Sequence, residues 1–237
     1  MLLFYVRHGD PIYDPDSLTP LGERQAEAVA KRLALYGIDK IYASTSTRAR
    51  LTAQPTAEIT KKTPELLDFA NEKYAWSELT VDTEKGKRWL FHAPYMRRII
   101  NDESFISLGH KWYEHPEFCG GTYKSGMERI LNGTNAFLES LGYEHIGRSG
   151  AYRVKVENQS RVALFAHQGF GLAFLSAILD IPFPQFATHF DMTHTGMTVI
   201  EFKNEDGFAY PRVMTLSSDS HIYREGLPTK YNGEIYF

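Results

Sequence analysis

Cysteine is nearly missing from this chain. Cys119 is the single thiol among 237 residues, which excludes an internal disulfide framework and fits a reducing compartment. There is no block of Lys and Arg, and the formal net charge is −3. The electrostatic footprint of a nucleic-acid binder is therefore lacking. No apolar run reaches the roughly 18–20 residues that a membrane-spanning helix needs. No charged leader precedes the first apolar run, so no cleaved signal peptide is expected and the reading is a cytoplasmic protein. Internal repeats and low-complexity linkers are also missing. What remains is a chain that is 43% hydrophobic, enough for a sizeable core in one large domain or two small ones.

The most informative pattern is a pair of strand-to-histidine junctions. Leu2-Leu3-Phe4-Tyr5-Val6 runs directly into Arg7-His8-Gly9-Asp10. So short and continuous an apolar run reads as a strand buried on both faces. Arg7 and His8 then sit at the strand's end, where open α/β sheets bind ligands. A histidine there is a candidate nucleophile, and the arginine beside it a candidate oxyanion clamp. Far downstream, Val162-Ala163-Leu164-Phe165-Ala166 runs into His167-Gln168-Gly169, followed by an apolar stretch to Leu179 that reads as a buried helix. Each histidine is thereby expected to cap a core strand at the same sheet edge.

A third junction follows the strand-like Ile41-Tyr42-Ala43. Ser44-Thr45-Ser46-Thr47 supplies hydroxyl caps for a helix opened by Arg48 and Ala49 and finished by the stretch Gln54–Lys62. An arginine beside free backbone N–H groups favours an anion, whereas Arg50 can equally be a solvated charge. Thr19, Pro20 and Gly37 punctuate another helix as N-cap, first residue and C-terminal cap. Met127 to Leu141 reads as a third helix, weakened by Gly133. Thr198–Phe202 and Phe208–Leu216 flank Asn204-Glu205-Asp206-Gly207, a hairpin signal. Alternating strands and helices predict an α/β sandwich with a mostly parallel sheet.

Taken in order, Arg7-His8-Gly9, Leu18-Thr19-Pro20-Leu21-Gly22-Glu23-Arg24-Gln25-Ala26, Ser44 to Ala53 and His167-Gln168-Gly169 resemble the histidine phosphatase, or phosphoglycerate mutase-like, superfamily. The resemblance covers roughly residues 1–60 and 160–202. It implies a three-layer α/β/α sandwich and a single domain over 1–237. It also implies that His8 is the nucleophile that becomes phosphorylated, with Arg7, Arg48 and His167 completing a phosphate pocket. Two forked arginines neutralise a phosphomonoester dianion, and neutral His8 attacks phosphorus while a backbone carbonyl near Gly9 holds its other ring N–H. A protonated His167 would stabilise the equatorial oxygens. Water then hydrolyses the phosphohistidine. The scheme needs no metal and no cofactor, and its ligand is a small phosphorylated substrate.

The sequence departs from the family at Thr45, at Gln168 and in the acid segment Leu67–Glu78. The leaving alkoxide needs a proton from a carboxylic acid. Glu72, 24 residues after Arg48, is the first choice by the family's usual separation; Asp68 and Glu78 are the alternatives. Asp10, Tyr13, Gln168 and His194 are second-tier substrate-binding candidates, His194 being equally readable as a plain strand-end residue. Residues 74–126 are rich in aromatics and contain His92, His110 and His115, whose spacing fits no standard metal site. They read either as an inserted cap over the pocket or as a subdomain with its own aromatic core or a dimer contact, which leaves room for a homodimer. The aromatic end Ile235-Tyr236-Phe237 is expected to pack against the domain or a partner subunit. Phosphatase is the leading reading. The extended segment that mutases carry after Arg-His-Gly is missing, which disfavours phosphoglycerate mutase. A phosphate-binding module without turnover is the third reading.

Overall fold

A computed structural model describes residues 1–231. Its centre is a six-stranded sheet in the order Arg212–Ser218, Met197–Glu201, Leu2–Arg7, Arg161–Ala166, Lys40–Ser44, Glu65–Leu67. Four strands, from Leu2–Arg7 to Glu65–Leu67, are mutually parallel; Met197–Glu201 lies antiparallel against Leu2–Arg7. The continuous apolar runs have the expected cause. Leu3, Tyr5, Val162 and Leu164 enter a core on one face of the sheet. Phe4, Val6, Ala163 and Phe165 enter a second core on the other. Helices Pro20–Tyr36 and Thr47–Thr60 close the second core with Val29, Leu33, Ala53 and Ala57. Helices Tyr123–Ser140 and Gln168–Leu179 close the first with residues such as Phe137 and Phe174. The architecture is a three-layer α/β/α sandwich with a mostly parallel sheet. None of the helices among the described residues is long and apolar enough to cross a membrane.

Local chemistry sets most of the boundaries. The Thr19 hydroxyl accepts from the Gly22 N–H at 3.1 Å, Pro20 opens the helix, and Gly37 ends it at φ 73°. The helix holding Arg48 stops at Thr60, with Lys61 in the left-handed region. The helix expected from Met127 starts four residues earlier, at Tyr123. The helix runs unbroken through Gly133, whose missing side chain makes room for Phe69: a Cβ would lie 2.3 Å from Phe69 Cδ2.

The expected hairpin is corrected in part. Its turn is present: Glu205 and Phe208 exchange backbone hydrogen bonds of 2.7 and 3.0 Å. Asp206 and Gly207 both have positive φ, as a type I′ turn requires. The pairing differs, because Phe208–Ala209 joins Tyr152–Val154 in a separate three-stranded sheet. Pro211 lacks the N–H needed to carry the ladder onward, and the main sheet resumes at Arg212.

Residues 74–126 divide into two parts. Thr80–Thr83 and Gly86–Trp89 form a hairpin. Phe105, Trp112 and Phe118 then form an aromatic cluster with centroids 5.3–5.5 Å apart for the Phe118 pairs. That cluster is continuous with the main core, Trp112 lying 6.2 Å from Phe183, so it is not a separate core. Beyond the sheet, Ile222 and Leu227 pack on Ala28 of the first long helix. The aromatic end Ile235-Tyr236-Phe237 lies outside the described residues.

Candidate active site

The parallel register pairs Arg7 with Ala166, so His8 and His167 leave adjacent strands at one sheet edge. Their rings approach to 5.2 Å between centroids, and the His8 N–H donates to Ala166 O at 2.9 Å. His8 Nδ1 lies 2.7 Å from Gly9 O. A carbonyl only accepts, so Nδ1 carries the proton and Nε2 keeps its lone pair.

The Leu18–Ala26 motif holds this loop. A Cβ on Gly9 would lie 2.6 Å from Gly22 O, and one on Gly22 would lie 2.2 Å from Asp10 O. The two glycines are what allow the helix to press on the loop backbone. Thr19 N and Gln25 Oε1 then bond Asp10 O and N at 3.0 and 2.8 Å. Gly9 N donates to Thr52 Oγ1 at 3.0 Å, and Thr52 in turn donates to Arg48 O at 2.7 Å.

Arg7, His8 and His167 are fully or almost fully buried. Arg7 gives one guanidinium N–H to Met192 O. Arg48 leaves the first turn of its helix, with Nη1 2.8 Å from Asp16 Oδ1 and Nη2 3.3 Å from Glu72 Oε2. Glu72 also accepts from Gly169 N at 2.8 Å, and its Oε2 lies 3.6 Å from His167 Nδ1. His167 Nε2 faces the hydroxyls of Ser44 at 2.8 Å and Ser46 at 3.3 Å.

Of the three acid candidates, Glu72 is the one that lies beside the two histidines, within 4.8 Å of both. Asp68 is exposed and accepts from Tyr74 and Thr45, whose hydroxyls hold it below the usual carboxylate range. Glu78 is engaged by Arg129 at 2.6 Å.

Burial, followed by His167, Arg7 and Arg48, holds His8 well below the ordinary imidazole range; the Gly9 carbonyl opposes the shift. Burial, then Arg48 and Arg7, does the same to His167. Both rings are thus held neutral, where a protonated His167 was anticipated. A phosphate dianion between them would supply the charge that favours protonating it. His8, Glu72 and His167 bring ligand-type atoms within 4.8 Å of one another, a set that could also hold a cation. Two guanidinium ions beside it argue for an anion.

The second-tier residues separate. Tyr13 lines the cleft beneath the Arg48 guanidinium, 5.4 Å from ring centre to Cζ. His194 stacks on His8 at 5.9 Å, and its Nδ1 lies 3.4 Å from Asp10 Oδ1. Asp10 also accepts from Thr19 Oγ1, and the Gln168 amide donates to Asp191. These three hold the nucleophile loop and its surroundings. His110 and His115 lie elsewhere, against Asp180 O and Phe105, while His92 lines the cleft.

Sequence reasoning missed Tyr5, whose hydroxyl donates to His167 O at 2.5 Å and accepts from His167 N at 3.1 Å. A single polar tip inside an apolar strand was the available signal. It also missed Asp16, for which the sequence carries none.

The sequence model of the histidine phosphatase superfamily (branch 1) matches residues 3–112. No curated protein matches at a significant level. Among solved structures, a phosphoserine phosphatase from Entamoeba histolytica in complex with 3-phosphoglyceric acid superposes with a TM-score of 0.59 at 19% identity, over 93% of this chain and 98% of that one. A mycobacterial glucosyl-3-phosphoglycerate phosphatase gives 0.59 at 19% identity, over 92% and 98%. At that identity the likeness speaks to the fold.

Proposed function

We propose, from the premise that this chain belongs to the histidine phosphatase superfamily, that it hydrolyses a small phosphomonoester through a phosphohistidine on His8, without a metal. The observation that carries the reading is the 2.7 Å contact of His8 Nδ1 with Gly9 O. It directs the Nε2 lone pair of a neutral buried imidazole toward a site flanked by Arg7, Arg48 and His167.

Nε2 attacks phosphorus, and the bond from phosphorus to the ester oxygen breaks. Glu72, as the carboxylic acid, gives its proton to the departing alkoxide. Arg7 and Arg48 match the phosphoryl oxygens with forked donors. Phosphoryl transfer depends mainly on such placement and charge stabilisation. Glu72, now a carboxylate, takes a proton from water as the water attacks phosphorus. The bond from phosphorus to nitrogen breaks, His8 regains its lone pair, and inorganic phosphate leaves.

The chain after His8 supports hydrolysis over mutase transfer. It is a short hairpin of Pro11–Tyr13 against Asp16–Leu18, followed at once by the Thr19 cap. The two structural relatives, named as phosphatases, agree with this reading. The test is a panel of phosphomonoesters assayed in EDTA, with 3-phosphoglycerate mutase activity followed in parallel and an acid-labile phosphoenzyme trapped by rapid alkaline quench. Metal-independent phosphate release with a phosphohistidine on His8 is expected. Mutase turnover without release, or release that EDTA abolishes, overturns the reading.

A further inference from the structure

We infer that Lys87, Arg88 and Arg97, which line the same cleft as Arg48 and Glu72, form a second anion site, so that the alcohol released carries its own negatively charged group. The inference rests on the hydrolase reading for the first site and adds the class of leaving group.

Size gives the first argument. The cleft encloses about 1230 Å³, above the roughly 300–1,000 Å³ of ordinary small-molecule pockets. A phosphoryl group fills a small part of it.

Charge gives the second. Five Lys and Arg line the cleft against three carboxylates, in a chain whose formal net charge is −3. The three carboxylates are engaged: Asp16 and Glu72 by Arg48, and Asp191 by the Gln168 amide and Met192 N–H. Lys87, Arg88 and Arg97 therefore have no carboxylate partner among the described residues. Cations converging on a cleft without partners raise the local concentration of an anion, and guanidinium forks suit a carboxylate or a phosphate.

Placement gives the third. Trp89, at the end of the strand that holds Lys87 and Arg88, packs directly on Gly169 beside His167: a Cβ on Gly169 would lie 2.2 Å from Trp89 Cζ2. Trp76 meets Trp89 edge-on at 5.0 Å. The hairpin is thus locked against the first turn of the helix Gln168–Leu179, next to His167, and its two cations are carried on that lock. Arg97 is tethered by Nε to Phe91 O at 2.7 Å. The two sites share one field: His92 is held below the usual imidazole range by burial and then by Arg97, Arg88 and Arg7, against the pull of Asp191.

The shared chemistry is an oxyanion, and two matched pairs separate its sources. Glycerol 3-phosphate against 3-phosphoglycerate adds a carboxylate; fructose 6-phosphate against fructose 1,6-bisphosphate adds a phosphate. Each is measured as Kd by calorimetry on the His8→Ala protein and as kcat/KM on the native enzyme. In at least one pair the member with the extra anion is expected to bind about 10-fold tighter or more, the scale of a charge-assisted contact. The double variant Lys87→Ala/Arg88→Ala should bring that ratio toward one, and Arg88→Lys should retain part of it.

Ratios near one in both pairs, or a preference that the double variant leaves intact, would overturn the inference. p-Nitrophenyl phosphate separates the two levels. If it is hydrolysed while the ratios stay near one, the second site fails and the hydrolase reading stands. If nothing is hydrolysed while the Kd preference exists and responds to the variant, the hydrolase reading fails and the anion site stands.

Discussion

The floor and the wall of the cleft bind charge in opposite ways. The floor is built from the ends of adjacent parallel strands and one helix N-terminus. Arg7, His8 and His167 are buried and Arg48 is partly buried, each is held by backbone or by a neighbouring functional group, and the imidazoles are kept neutral. The wall comes from the segment 72–97, and its cations Lys87, Arg88 and Arg97 are exposed and carry no carboxylate partner among the described residues. On the proposed function the floor receives only the phosphoryl group and is indifferent to the rest of the ester. Discrimination between esters therefore has to come from the wall, where a change of residue leaves the sheet untouched.

The comparison breaks most sharply at the nucleophile. His8→Ala is expected to lower kcat/KM by roughly 10⁴-fold or more while the melting temperature stays close to that of the native chain. Turnover near native levels in that variant would mean that the floor does not work through His8.

Glu72 stands where floor and wall meet, at the first turn of the helix Glu72–Glu78. Glu72→Gln should slow alkyl phosphates by about 10²–10⁴-fold and p-nitrophenyl phosphate far less, because that leaving group needs little protonation. Asp68→Asn should leave the leaving-group dependence unchanged. If the two variants exchange these effects, Asp68 is the acid.

The floor's rigidity is tested at Gly22, where a Cβ would strike Asp10 O. Gly22→Ala should destabilise the fold by about 1–3 kcal/mol, as overpacking does, and lower activity through the displaced His8 loop. Urea unfolding beside steady-state kinetics checks both. An unchanged midpoint would show that the loop yields easily.

The mildest expectation concerns acid. His8, His167 and His92 lie below the imidazole range when folded, and burial first, then Arg32, takes His221 to about 4. In the unfolded chain histidine titrates near 6.5. Below that pH the unfolded state holds more protons than the folded state, so stability rises with pH across the window and falls on acidification. For His221 the loss runs from about 6.5 down to about 4. The slope is at most about 1.4 kcal/mol per pH unit for each histidine. Urea midpoints at pH 7, 6 and 5 measure it, and a flat profile would mean that the rings charge freely in the fold.

Much of the floor is legible in the sequence. A strand buried on both faces writes itself as an unbroken apolar run, and a cap or an obligatory glycine has a single-residue signature. Arg7, His8 and His167 could therefore be placed at strand ends, and Arg48 at a helix start, from local pattern alone. Glu72 was harder to place. Three carboxylates lie in one short stretch, and only the packed chain turns one of them toward His167 while Tyr74 and Arg129 occupy the other two. The strand Phe208–Ala209 was misassigned because alternation specifies a strand without naming its partner.

Local signals in the sequence thus determined the parallel sheet and its capping helices and put Arg7, His8, Arg48 and His167 at element ends, because each depends on neighbours within a few positions along the chain; their grouping as a phosphate pocket came from the family resemblance. The tertiary structure alone decided which carboxylate faces the histidines, that His194 stacks beneath His8, and that Lys87, Arg88 and Arg97 converge on one cleft. Those facts depend on contacts between residues up to 186 positions apart, such as His8 and His194. No periodicity in a sequence reports contacts of that kind.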